Sequence, residues 1–450
     1  MTVIELGFIT DEGDQQPAPR GPGRRDRRDL RRVLVALVAL VCLLTVTGSA
    51  RPDPRGLPQL WSIPVQPPNG DMFTLTGDTV YVLSRGDTTI TAYDARTGAR
   101  RWAIPAPPEP SWLDRVTAGV LLLPAGEATV RFTAEDGSEI THQISLDTVA
   151  IDTATGRQLW RQHGEYTVLS DDQVLLAEWN YRANAIRSLR AVRVRDGGTI
   201  WSYPTTDLAS WTSGRGADGS AADRIVTTTT KDHSVKVLDA TDGHVVAAGR
   251  TPWGQQPGQD YAEASLSLEG RRLYVDQNVN GKSTIAVYDT ETLRRLWQLE
   301  PDDSGGAYRC GPLLCLNSAD STAGYDLDTG KLRWRLAGLR NGYPLPNGRI
   351  LVDDDDTGAR HRLVDATSGR VLADIEAATP VWDYRTGDTP YLLAHTREPA
   401  DLTSVSQFDA QTGETLLRGA IVPVDSSCQT ADGLLACITL DERLTVTDVG

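Results

Sequence analysis

The residues able to do chemistry are few for a chain of 450, and they are scattered. The six histidines (His142, His163, His233, His244, His361 and His395) show no HExxH or other paired spacing, so no zinc-hydrolase helix is encoded. There is no Gly-x-Ser-x-Gly elbow and no phosphate-binding loop. Of the five cysteines, Cys42 lies in an apolar run, while the rest form two close pairs, Cys310 with Cys315 and Cys428 with Cys437. Neither pair has histidine at finger spacing, which argues against zinc. Each pair reads as a disulfide closing a short loop, contributing roughly 2–3 kcal/mol in the loop-entropy model. Such bonds require an oxidising compartment. Asp353 to Asp356 is the sharpest acidic cluster and offers oxygens to calcium. Its place between two strand-like runs, just before Thr357-Gly358, reads as a solvated turn. No residue is assigned on these grounds as catalytic, cofactor-binding or metal-ligating.

The formal charge is -15, from 45 Lys+Arg against 60 Asp+Glu, which disfavours nucleic acid as a partner because phosphate neutralisation needs clustered bases. The 40% hydrophobic content suffices for a core, and 41 Gly with 25 Pro favours many short elements. Residues 33–50 (VLVALVALVCLLTVTGSA) carry no charge and as a helix would span roughly 27 Å, about a bilayer core. Arg20, Arg24, Arg25, Arg27, Arg28, Arg31 and Arg32 precede them, so the positive-inside rule places this tail in the cytoplasm and the rest outside. The expected layout is a disordered basic tail (1–32), a transmembrane helix (33–50), a Pro-rich spacer (51–58) and an extracytoplasmic domain (59–450). The long tail favours an uncleaved anchor in a bacterial cell membrane, with Gly48-Ser49-Ala50 leaving a cleaved signal as the alternative.

An internal repeat organises the remainder. Residues 92–102 read AYDARTGARRW, 150–160 AIDTATGRQLW, 287–297 VYDTETLRRLW and 324–334 GYDLDTGKLRW. Weaker copies end at Ala247, Ala373 and Leu417, and a divergent one, VRVRDGGTIW, ends at Trp201. In each, an apolar alternation stops at Asp, a Thr/Gly turn follows, and a second strand carries Trp: a β-hairpin. With one or two strand-like runs ahead of each, four strands recur every 37 to 58 residues, the period of propeller blades. The chain ends in a third strand and its turn (Leu444 to Gly450), and the missing fourth appears at Leu60-Trp61-Ser62-Ile63. First and last segments are expected to share one blade and remove the open edges. The literal count is nine units; about eight four-stranded blades is the fold expectation, with the Trp201 unit as a decorated edge. Cys315 and Cys437 each lie 11 residues before the turn Asp of their unit, Asp326 and Asp448.

The unit A-x-D-x-x-T-G-x-x-x-W, as in Ala150, Asp152, Thr155, Gly156 and Trp160, resembles the docking motif of the quinoprotein (PQQ-like) β-propeller superfamily. The resemblance covers about residues 60–450 and implies an all-β fold. It also implies that Trp61, Trp102, Trp160, Trp201, Trp297 and Trp334 pack between blades, and that Ala247, Ala373 and Leu417 loosen theirs. The superfamily contains PQQ-dependent dehydrogenases, with an adjacent cysteine pair and a calcium site, and BamB-type scaffold propellers. No adjacent cysteine pair occurs here. The expectation is therefore a non-enzymatic scaffold without cofactor, binding a protein or an envelope polymer. An exported quinoprotein dehydrogenase, or a propeller binding a small ligand in its channel, is the alternative. Trp112, Trp179, Trp211, Trp253 and Trp382 lie outside docking positions. Trp179, Tyr181 and Arg182, placed in a loop after a strand, are the candidate partner-binding residues. Residues 129–145, with a turn at Glu135 to Ser138, are expected to form a hairpin projecting beyond the disc.

Overall fold

The computed structural model describes residues 56–450, apart from 68–69, 110–112, 114, 134–138, 181–184, 216–220, 230–233, 251–261, 280–281, 302–305, 319, 355–359, 376–377, 384–387 and 398–399. The basic tail and the apolar run 33–50 lie outside the described residues. Among the described residues, no helix is long and apolar enough to cross a membrane.

The alternating runs form antiparallel sheets joined in sequence into a nine-bladed propeller. Blade 1 is typical: Met72–Thr76, Thr79–Ser84, Thr89–Asp94 and Arg100–Pro105. Blades 2 to 8 follow in chain order within 115–163, 165–215, 199–250, 262–299, 306–337, 340–375 and 379–421, and blade 9 joins 424–448 to 59–64. The sequence-based figure of about eight blades is corrected upward to the literal count. The Trp201 unit is a whole blade, blade 3, because its last strand continues straight into the next unit. The 17-residue strand Thr199–Arg215 pairs with Ala185–Arg193 over its first part and with Ala222–Thr229 over its second. One strand thus serves as the outer strand of blade 3 and the inner strand of blade 4. A single parallel pairing, Arg215 with Glu269, links blades 4 and 5.

Successive side chains on a strand point to opposite faces, so a strand packed between two sheets must be apolar throughout. In Thr79–Ser84, Val80 and Val82 pack with Leu434, Ala436 and Val446 of blade 9, while Tyr81 and Leu83 pack with Leu121, Leu123 and Val149 of blade 2. The core is therefore a series of layers between neighbouring blades.

Closure joins the two ends of the chain. Gln59–Pro64 pairs with Arg443–Asp448, with Trp61 opposite Val446 and Ile63 opposite Leu444. Arg443 adds a hydrogen bond to the Ser62 hydroxyl at 2.8 Å. On the inner side, the Gln429 amide bridges blade 9 to blade 1, accepting from Leu75 N–H at 2.8 Å and donating to Phe73 C=O at 3.1 Å.

Candidate binding surfaces

The repeated polar residues are used by the fold itself. In the turn of blade 2, Asp152 Oδ1 accepts from the Thr155 N–H at 2.9 Å and from its hydroxyl at 2.7 Å. Asp94, Asp289 and Asp326 repeat this with Thr97, Thr292 and Thr329, and Asp365 with Ser368. The second carboxylate oxygen commonly faces an arginine, as in Arg101 with Asp94 at 2.9 Å and Arg333 with Asp326 at 2.6 Å. The Arg333 and Thr329 bonds hold the Asp326 carboxyl down to about 2. In blade 3, Arg193 stands at the turn position, and Asp196, three residues later, caps the turn by accepting from Gly198 N–H and from Arg193.

Six blade junctions are sealed by tryptophan. The indole N–H of Trp61, Trp102, Trp160, Trp201, Trp297 and Trp334 donates to the carbonyl of Ala95, Thr153, Val194, Ala240, Leu327 and Ala366 in the following blade, at 2.8 to 2.9 Å. Each ring lies on the turn glycine of that blade. A methyl group on Gly98 or Gly369 would fall 2.6 or 2.5 Å from the Trp61 or Trp334 ring, and both glycines have positive φ (+68° and +70°).

The remaining three junctions use other means. Blade 4 offers Ala247 instead of Trp, and the accepting turn of blade 5 has Leu293 where the others have Gly. Leu293 adopts φ +51° and packs with Ala247 against the same core layer, filling the volume an indole would take. Ala373 of blade 7 closes directly against Gly413 of blade 8. Beside Leu417 of blade 8, Arg418 donates to Val449 C=O at 3.2 Å.

Both cysteine pairs are disulfides, Cys310–Cys315 in blade 6 and Cys428–Cys437 in blade 9, each tying a first strand to a second. The quinone site of the dehydrogenases needs cysteines adjacent in the chain. These pairs are five and nine residues apart, so they do not fit that group.

Trp179 is not in a loop. It lies near the end of the strand Gln173–Asn180, opposite Ile186, at a register shift that turns it toward the core. There it is half-buried and packs with Tyr203 and Trp211 on the layer between blades 3 and 4. Its indole N–H is buried with no partner among the described residues. Tyr181, Arg182, Trp112 and Trp253 lie outside the described residues. Trp382 packs near Tyr343, ring centroids 6.1 Å apart.

The acidic cluster resolves into different roles. Asp353 is buried and faces His361 Nδ1 at 2.9 Å, while His361 Nε2 faces Ala378 C=O at 2.9 Å. Asp354 pairs with Arg362 at 3.0 Å, and Asp355 and Asp356 lie outside the described residues. His361 thus ties blade 7 to the segment entering blade 8. Neither residue's role was legible beforehand, because the pairing depends on register. Asp239, Asp242 and His244 come together on the surface, with Asp239 bonded to Arg224 and Asp242 to His244.

Two features stand apart from the repeated turns and junctions. The first is the arm of blade 2, where Val120–Thr133 pairs with Glu139–Asp152 over their whole length. Arg115–Thr117 covers only 120–122 and Gln158–His163 only 147–151, and the Glu127 N–H is met by the Glu109 carboxylate at 3.1 Å, so from Ala128 outward this two-stranded ribbon has both edges open among the described residues. The second is a pair of cavities of about 340 Å³ each on either side of the first strand of blade 9. One lies toward blade 1 (Asp71, Phe73, Gln429), the other toward blade 8 (Val381, His395, Arg397, Thr403). No short motif signals either cavity, since their residues come from separate blades.

The family model described as outer membrane protein assembly factor BamB matches residues 50–167 and 185–337. No match is found among curated protein sequences. Among solved structures, BamB from Moraxella catarrhalis is similar at 15% identity, covering 87% of this chain and 99% of its own, with a TM-score of 0.43. A eukaryotic initiation factor is similar at 10% identity, covering 84% and 93%, with a TM-score of 0.50. A quinohemoprotein alcohol dehydrogenase from Pseudomonas putida is similar at 15% identity, covering 71% and 65%, with a TM-score of 0.39. At these identities the likeness is one of fold.

Proposed function

This chain belongs to the BamB-like family of PQQ-type propellers, and from that premise we propose that it is a non-enzymatic scaffold that holds a protein partner at the outer surface of a bacterial cell membrane. The observation that carries the reading is the open-edged ribbon of blade 2. An unpaired strand edge presents a row of N–H and C=O groups that an extended segment of another protein can complete, and natural proteins rarely leave one uncovered without use. The repeated Asp, Thr, Arg and Trp residues are engaged in turns and junctions, which suits a scaffold. Residues 33–50 serve as the anchor, with the tail inside and the propeller outside.

The test replaces residues 127–145 of the full chain by a short turn and compares cross-linked partners with wild type in the native host. Loss of a defined protein partner with unchanged thermal stability is expected. An unchanged partner set would remove the ribbon from the interface. Protease added to intact spheroplasts should digest the propeller and spare the tail; the reverse pattern would overturn the orientation.

A further inference from the structure

Indole N–H groups close six of the nine joints, and an indole is a donor that does not titrate. Blade 7 has Ala373 where those blades have Trp, and it reaches blade 8 through a different donor. His361 Nε2 lies 2.9 Å from Ala378 C=O, in the segment that enters blade 8. At this joint an imidazole stands in for the indole.

The other ring nitrogen also faces an acceptor. Nδ1 lies 2.9 Å from Asp353 Oδ1, and His361 and Asp353 are only 4% and 3% exposed. Asp353 is used as an acceptor on its second oxygen as well, since Oδ2 takes a hydrogen bond from Asn341 Nδ2 at 3.2 Å. The Tyr343 hydroxyl, pushed up by burial and by the Asp353 charge beside it, bonds to the same group. A carboxyl surrounded by donors is a carboxylate, because its own proton would displace one of them. A neutral imidazole donates from one nitrogen and would turn a lone pair on either Asp353 or Ala378. An imidazolium meets both. Further charged groups stand around the pair. Arg340 is opposite Asp353 in the pairing of the first two strands, and Arg362, next to His361 in the chain, is held by Asp354 and Asp374. On the fourth strand the register partner of His361 is the apolar Ile375, and Glu376 lies outside the described residues.

We propose that His361 is held as an imidazolium between Asp353 and Ala378, which makes the joint between blades 7 and 8 pH-responsive: firm while both ring nitrogens carry protons, loosened when one is lost. The second proton has both its acceptors only while blade 8 is seated, so protonation and closure favour each other. Their mutual support is complete in mild acid and is lost as the medium turns alkaline. The indole joints keep their donors throughout, so the ring answers to the acidity of its compartment at this joint.

The full chain in detergent micelles, labelled with 15N-histidine, is examined by NMR at neutral pH. His361, assigned by its loss in His361→Gln, should show two protonated ring nitrogens; one unprotonated nitrogen would overturn the imidazolium. Amide exchange of the wild type, corrected for its intrinsic rate, is then followed between about pH 6 and about pH 9, through and past the ordinary histidine range. Protection of the strand Thr379–Asp383 should fall about ten-fold, the size of one hydrogen bond to a charged group. The strand Glu165–Val168, in the blade that receives Trp160, should keep its protection. In His361→Gln the fall at Thr379–Asp383 should disappear, and the wild-type comparison stands whether or not that variant folds. No fall at Thr379–Asp383, an equal fall at both strands, or a fall that persists in His361→Gln would refute the pH-responsive joint.

Discussion

At the residue scale, the chain shows one motif solved in two ways. Trp297 donates to Leu327 C=O and lies on a glycine, and its removal takes both a hydrogen bond and a large buried surface. Trp297→Ala should cost about 3–5 kcal/mol, read as a lowered denaturation midpoint. Ala247 and Leu293 make the same joint with volumes exchanged. Ala247→Trp alone overfills the joint, and Leu293→Gly alone empties it, each costing roughly 1–3 kcal/mol. Together they should restore the Trp-on-Gly arrangement, so the double variant is expected to be clearly more stable than the sum of the singles. Additive losses would show that Leu293 does not fill the Trp site. The turn carboxylates set the acid limit. Asp326, held at about 2 by Arg333 and Thr329 against an ordinary 3.8, contributes stability that is complete above pH 3.8 and lost as the pH falls toward 2. Asp94, held down by Arg101 and Thr97, adds in the same direction. Thermal midpoints should therefore drop steeply below pH 4, and less steeply in Asp326→Asn.

At the element scale, the strand Gln59–Pro64 and the ribbon of blade 2 are opposites. The first completes a sheet made otherwise from the last residues of the chain, and it carries Trp61 across to Ala95. Deleting 59–64 should expose the edge of blade 9 and lower the midpoint of the whole domain; a truncated protein that melts like the parent would refute the shared blade. Shortening the ribbon should leave that midpoint nearly unchanged, since only 120–122 and 147–151 pair with the rest of blade 2. Trp179 belongs with the first kind. Trp179 is half-buried on the core layer that Trp211 and Tyr203 also cover, so its replacement by Ala should cost roughly 0.5–3 kcal/mol, which a thermal scan resolves. A loss of partner binding in that variant must therefore be compared with its stability.

At the scale of the whole molecule, each blade packs on two neighbours, and no layer of the core belongs to a single sheet. A ring built so has no free end from which to unravel, and residues 56–450 should unfold in one cooperative transition, with calorimetric and van't Hoff enthalpies in agreement. Two separated transitions would mean that a junction without tryptophan, such as that at Ala247 or Leu417, divides the ring.

The blade, its turn and its sealing tryptophan were legible in the sequence because they are local: alternation, an Asp-x-x-Thr-Gly turn and a Trp all fall within eleven residues. The two disulfides were legible for the same reason, as was the shared closing blade, since each end of the chain displays the part the other lacks. The number of blades was harder to read, because the unit at Trp201 lacks the turn Asp and shares a strand with the next one. What depends on register and on neighbours was decided only by the tertiary structure. Leu293 fills space left by Ala247, Trp179 turns inward at a register shift, and His361 meets Asp353 beneath the entry to blade 8. The cavity beside Cys428 is assembled from blades 8 and 9, whose residues carry no spacing that a linear reading can detect.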